Sequence, residues 1–344
     1  MPNYPSAVVQ SGTAEAGQAY PTLEDTYGRR FQYLRLSVTE ICNFRCNYCL
    51  PNGYQNVSKP LPLNQVEIDT LLQAFSALGT RKVRLTGGEP ATRRDLDTLI
   101  AMAKSPPGIQ KVALTTNGYN LKQKIASWKQ AGLDAINVSV DSLDAAQFSR
   151  ITGHDILPKV LAGIDRAIEL GYSNIKINAV LLQQFNVDQL ERFVDWVKHM
   201  PVTVRFIELM ETSDNRVFFR ENRITGESIK SRLMEQGWTE KQRDRFAGPA
   251  KEFSHPDYKG NIGLIMPYSK DFCATCNRLR VSSEGKLHLC LFGDSQVDLR
   301  PYLLQGDVVG TIRAIRQSLP IKKSGHALHD GYTGSTRHLA SIGG

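Results

Sequence analysis

The chain has 344 residues, 41% hydrophobic and 22% charged, with a formal charge of +8. That length accommodates one barrel-sized domain or two medium ones, and the composition is that of an ordinary globular protein. No run of about 18 apolar residues occurs, which argues against a membrane span; the dispersed Lys and Arg form no nucleic-acid arm, leaving a solvated basic surface and an anionic partner both open.

The first 28 residues contain no Lys or Arg, which argues against a secretory leader or an Arg-rich transit peptide. Their Pro, Gly, Ser and Ala content predicts a flexible N-terminal arm over residues 1–28 and, by default, a cytoplasmic location. From residue 33 short β-branched runs recur: "YLRLSVT", "KVRLTG", "KVALTTN", "AINVSVD", "IKINAV" and "VRFIELM". Segments with helical spacing lie between them, and three end on Gly79, Gly132 and Gly171, as helix stops do. This β-then-α alternation predicts a parallel sheet with right-handed crossovers, closed either as an open doubly wound sheet or as a partial barrel. After residue 211 the pattern breaks. "ETSDNRVFFRENRITGES" reads as a charged loop, a helix follows near 226–236, and "RLRVSSEGKLHLC" reads as a hairpin.

In parallel α/β folds chemistry gathers outside the carboxyl ends of the strands. The unusual residues follow that rule: a cysteine loop after the first run, "TGGEP" after the second, "TTNG" after the third and "SVDS" after the fourth. Arg84 and Lys176 interrupt apolar runs, and a buried cation needs a partner, so they point to an anion within the fold or else face solvent.

The six cysteines fall into two trios, Cys42/Cys46/Cys49 and Cys273/Cys276/Cys290, a pattern of metal ligation rather than of disulfides. The C-x3-C-x2-C loop fits three thiolates of a [4Fe–4S] cluster with one iron left open, since ordinary electron-transfer clusters use four. A zinc site completed by a distant ligand, or plain buried thiols, remain alternatives. The second trio has the spacing of a zinc ribbon, with His288 as a fourth ligand, or of a second three-thiolate cluster.

"CNFRCNYC" with "GGEP" resembles the radical S-adenosylmethionine (SAM) superfamily. Together with "RLTGGEP", "LTTNG", "NVSVDS", "KINAV", "RFIELM", "CNRLRV" and the terminal "GG", it resembles the GTP 3′,8-cyclase branch that begins molybdenum cofactor biosynthesis. The resemblance implies an α/β fold, a partial (β/α)6 TIM-like barrel over residues 29–211, with a smaller C-terminal α+β module over 212–344 closing the barrel mouth. It implies two [4Fe–4S] clusters, one per trio, and SAM on the open iron of the first, held through Tyr48, Gly88, Ser139 and Met210. GTP, the implied substrate, would be bound by Arg35, Arg84, Thr115, Lys176, Arg278 and Arg280 and by the open iron of the second cluster. A deoxyadenosyl radical from SAM would take a hydrogen from C3′, and C3′ would then attack C8 to give 3′,8-cyclo-7,8-dihydro-GTP. Gly343 and Gly344 would insert toward the active site. Implied partners are an electron-donor protein, the downstream cyclic pyranopterin monophosphate synthase and a second copy of the chain as a homodimer, with neither nucleic acid nor membrane. The rival readings are a peptide-modifying radical enzyme and a non-catalytic iron–sulfur or zinc carrier.

Overall fold

The computed structural model describes residues 22–55, 61–244, 247–334, 336 and 339–342. Six parallel strands alternate with helices, in the order expected. The strands are β1 (Tyr33–Ser37), β2 (Lys82–Thr86), β3 (Lys111–Thr116), β4 (Ala135–Ser139), β5 (Ile175–Leu181) and β6 (Thr203–Glu208). The helices are α1 (Gln65–Ala77), α2 (Leu96–Lys104), α3 (Leu121–Gln130), α4 (Ala145–Thr152), α5 (Leu157–Glu169) and α6 (Leu190–His199). Gly79, Gly132 and Gly171 stop three of these helices with φ of 84°, 100° and 76°, a left-handed conformation that costs a glycine little.

Next come α7 (Arg216–Asn222), α8 (Glu227–Glu235), β7 (Thr239–Glu240), β8 (Lys251–Ser254) and β9 (Asn261–Ile265). The chain ends with β10 (Arg278–Val281), β11 (Lys286–His288), β12 (Gln296–Asp298), α9 (Arg300–Leu304) and α10 (Val308–Ser318). The segment expected as a charged loop therefore contains α7, whose Phe219 is buried; a short apolar anchor is enough to order it despite its charges.

All the strands join one sheet, in the order β12-β11-β10-β1-β2-β3-β4-β5-β6-β9-β8-β7. The C-terminal region adds a parallel strand to each edge of the six: β10 beside β1 and β9 beside β6. Among the described residues β9 and β10 do not pair with each other, so the barrel keeps an open seam. Antiparallel hairpins extend both edges, one through the predicted turn at Gly285 (φ 86°).

Strand alternation divides the sheet into two faces. One carries Leu34, Leu36, Val83, Leu85, Val112, Leu114, Ile136, Val138, Ile177 and Val204, all fully buried under the helices. The other carries Tyr33, Arg35, Lys82, Arg84, Asn137, Lys176, Asn178 and Arg205, which face a lumen. Of the expected N-terminal arm, residues 22–28 are described and packed: Leu23 is buried, and Asp25 pairs with buried Arg29 at 2.7 Å. Residues 1–21 lie outside the described residues.

Candidate active site

The first cysteine trio lies on the loop after β1, laced to the "GGEP" turn by backbone bonds. Val38 N–H donates to Thr86 O (2.9 Å), Gly88 N–H to Thr39 O (2.8 Å) and Glu89 N–H to Ile41 O (2.8 Å). Such close approach demands glycine: a Cβ on Gly87 would lie 2.2 Å from Thr39 O, and one on Gly88 2.3 Å from Ile41 O. Glu89, fully buried, accepts from Asn117 N–H (2.6 Å), Thr116 Oγ1 (2.7 Å) and Ala91 N–H (3.0 Å), tying this turn to the end of β3. Burial pushes its carboxyl up to about 7.

Cys46 and Cys49 are joined by a tight turn, Cys49 N–H to Cys46 O at 3.0 Å. The three thiols are electrostatic neighbours, and burial pushes Cys42 up to about 11 and Cys49 to about 12. Sulfurs so deprived of water stay protonated unless a metal group compensates. Between them Tyr48 donates its hydroxyl to Asp141 (2.9 Å), which also accepts from Val180 N–H (2.8 Å), so the loop is anchored to the ends of β4 and β5. Ser139, half-buried, closes β4 opposite Asn178.

A cavity of about 870 Å³ fills the lumen. Of the sequence-predicted residues, Arg35, Arg84, Lys176, Met210, Arg278 and Arg280 line it, as do Cys273, Cys276 and Cys290. Arg280, Arg35 and Arg84 stand in one register row across β10, β1 and β2. Thr115, half-buried on the same face of β3 beside Asn137, does not itself line the cavity but accepts from Arg84 Nη1 at 3.2 Å. Lys176 pairs with Glu252, and Arg205 donates to Asn178 Oδ1 at 2.7 Å. Gly263 leaves room for that arginine, since a Cβ there would sit 2.9 Å from its Cγ. Burial brings the Arg35 and Arg205 guanidinium groups down to about 10, with Arg84 adding to the effect in both. This is a crowded cationic lumen that a polyanion would relieve.

Tyr33, Lys82 and Arg205 are among the lining residues that the sequence did not mark as binding groups. The signal was present in the parity, because Tyr33 and Lys82 share the face of Arg35 and Arg84, two residues earlier on the same strands.

β10 brings a second set of chemical groups to the opposite end of the strands. It runs parallel to β1, and Tyr33 N–H donates to Asn277 O (3.2 Å), so the loop before β10 lies at the amino ends of the strands. The second trio therefore sits at the far end of the lumen from the first, with a five-residue strand, about 15 Å, between them. Burial pushes the Cys273 thiol up, as in the first trio, but Cys276 differs. Burial raises the Cys276 thiol, but Arg278 and Lys322 outweigh it and bring it down to about 7. Buried Arg29 donates to Cys273 O (3.2 Å), Ser324 O (2.6 Å) and Lys323 O (2.7 Å), fixing this loop to the C-terminal tail.

The thiols of each trio are electrostatic neighbours, and among the described residues no group of three or more His, Cys, Asp or Glu is arranged to hold a single metal ion. His288, the alternative zinc ligand, is buried opposite Arg280 and held neutral, its imidazole brought down to about 4 by burial and then by Arg280.

Gly343 and Gly344 lie outside the described residues. The tail before them runs from one trio to the other: His326 N–H donates to Cys273, Thr336 Oγ1 to Leu291 O, and Ala340 N–H to Cys49.

Residues 36–197 match the family model of the Radical SAM superfamily, and residues 202–328 match Molybdenum Cofactor Synthesis C. The chain is 53% identical to the GTP 3′,8-cyclase of Psychromonas ingrahamii, over 94% of this chain and 95% of that one. It is 52% identical to the GTP 3′,8-cyclase of Cronobacter sakazakii, over 94% and 99%. Among solved structures, Streptococcus suis SuiB bound to S-adenosylmethionine superposes with a TM-score of 0.58 at 15% identity, covering 83% of this chain and 68% of that one. That likeness is one of fold.

Proposed function

The chain belongs to the GTP 3′,8-cyclases of the radical SAM superfamily, enzymes of molybdenum cofactor synthesis, and from that premise we propose how its residues divide the work. Cys42, Cys46 and Cys49 hold one [4Fe–4S] cluster, and Cys273, Cys276 and Cys290 hold the other. Tyr48, Gly88, Ser139 and Met210 receive SAM, which, bound at the first cluster, supplies a carbon radical able to abstract hydrogen. GTP lies in the lumen between the trios.

The observation that carries this reading is the lumen itself, a cavity walled by arginines and lysines with three thiols at one end. A triphosphate bears about four negative charges near neutral pH, and charge-assisted hydrogen bonds from arginine forks are the strong way to hold it. Arg35, Arg84, Lys176, Arg278 and Arg280, joined by Lys82 and Arg205, bind the phosphates; Thr115 steadies Arg84. The reaction joins two atoms of one nucleotide, ribose C3′ and guanine C8. The protein's task is to hold them close while excluding water from the reacting carbon. Pinning the phosphates among cations and the base at the second trio achieves both. The tail segment leading to Gly343 and Gly344 completes the enclosure.

Among the described residues no helix is long and apolar enough to cross a membrane. We assign the chain to the cytoplasm, with an electron-donor protein and the cyclic pyranopterin monophosphate synthase as functional partners and a homodimer as the assembly.

The test is anaerobic reconstitution. About eight irons per chain, with SAM cleavage that requires GTP, is the expected result. Lys176→Met should weaken GTP binding at least tenfold without weakening SAM binding. Zinc retained at the second trio, or SAM turnover indifferent to GTP, would sink the reading.

A further inference from the structure

Tyr33 opens β1 and is 4% exposed, yet its side chain meets cations on several sides. Arg84 Nε donates to its oxygen at 2.6 Å, and Arg35 hydrogen-bonds to it as well. Lys82 Nζ stands 4.5 Å from the ring centroid, and Arg278 lies opposite in register on β10. Farther round the lumen come Arg280 on β10, Lys111 on β3, Lys176 on β5 and Arg205 on β6. The carboxylates on the lumen wall are Glu252 on β8, already paired with Lys176, Asp134 just before β4, paired with Lys104, Glu240 on β7, and Asp244 and Asp271 on the loops.

A hydroxyl surrounded in this way can act as counter-ion to Arg84, which donates to it, and to its neighbours Arg35 and Lys82. We propose that Tyr33 is a proton-coupled counter-ion of the phosphate site: its oxygen holds these cations in the free enzyme and takes up a proton when a nucleoside triphosphate replaces it. The phosphates bring negative charge to the same cations, and two anions in contact disfavour each other, so the phenolate is converted to phenol. The proton comes from solvent, and the neutral hydroxyl becomes a donor to a phosphate oxygen. The direction of the phenol's own shift agrees: burial raises it, but Arg84, Lys82 and Arg35 together pull it well below its ordinary value. The inference rests on GTP being the lumen's substrate.

Lys82 must be separated from this effect. Burial brings its ammonium down to about 8, with Tyr33 opposing that shift, so removing Tyr33 would pass titration to Lys82. The experiment therefore compares Lys82→Arg with Lys82→Arg/Tyr33→Phe, both fully loaded with clusters. GTP binding is measured anaerobically by calorimetry in buffers of different ionisation enthalpy near pH 7. The chain with Tyr33 should take up as much as one proton more per GTP, and its affinity should fall by up to tenfold per pH unit relative to the Phe chain. Guanosine, which lacks phosphates, should show no such difference. In the unmutated enzyme, GTP affinity should likewise fall with rising pH, a measurement that needs no variant. Equal proton numbers in the two chains, with GTP still bound, would overturn the proposal. Failure of the unmutated enzyme to bind GTP at all would instead overturn the substrate reading beneath it.

Discussion

Single residues set both ends of the lumen. Gly88 allows the "GGEP" turn to lie against the cysteine loop at a distance no side chain tolerates. Gly88→Ala should therefore displace the loop of the first trio alone, lowering reconstituted iron from about eight to about four per chain, as read by iron analysis and the loss of one electron paramagnetic resonance signal. At the other end, Arg29 has its charge paired with Asp25 and three donors spent on backbone carbonyls. Arg29→Met leaves a buried carboxylate unpaired, at a cost of about 3–5 kcal/mol, visible as a lower denaturation midpoint together with weaker iron retention at the second trio. The cysteines, Arg84 and Lys176 stood out in the sequence because thiol spacing and a cation in an apolar run are local signals, whereas Arg35 came only with the family resemblance. Tyr33, Lys82 and Arg205 were not legible as binding groups, since at a strand's start or in a mixed run such residues read equally well as solvent-facing. Only the sheet register shows that they share the lumen face.

At the level of elements, α1 links the barrel to the last part of the chain. Its capping box pairs Asn64 with Glu67, Glu67 N–H donating to Asn64 Oδ1 (3.0 Å) and Asn64 N–H to Glu67 Oε2 (2.8 Å). Glu67 also accepts from Arg300 Nε of α9 at 3.0 Å and is buried. Asn64→Ala should cost about 1 kcal/mol. Glu67→Ala should cost about 3 kcal/mol, because it also strands the partly buried Arg300, and urea midpoints of the two variants give the ordering. The six β-then-α units could be read ahead of the structure because period-two alternation and glycine stops are written along the chain. The placement of β9 and β10 could not. Parallel pairing with β6 and β1 depends on partners more than fifty residues distant for the one and more than two hundred for the other, and no local pattern encodes the direction of such a strand. That gap is also why the end of the lumen at which the second trio sits could not be read ahead of the structure.

For the whole molecule, the expected boundary near residue 211 is crossed by the sheet. β9 and β10 complete both edges of the six-stranded part, Leu279 and Val281 being buried against it. We expect residues 29–211 and 212–344 to unfold as one unit, because separating them would expose two sheet edges and a wall of apolar side chains. In native-state hydrogen exchange, the slowest amides of β1 and of β10 should then open with the same free energy; β10 opening at much lower denaturant would show two units instead. Because β9 and β10 do not pair among the described residues, the lumen wall has one line along which it can part without breaking a strand-to-strand hydrogen bond, a mechanical freedom that a closed barrel lacks.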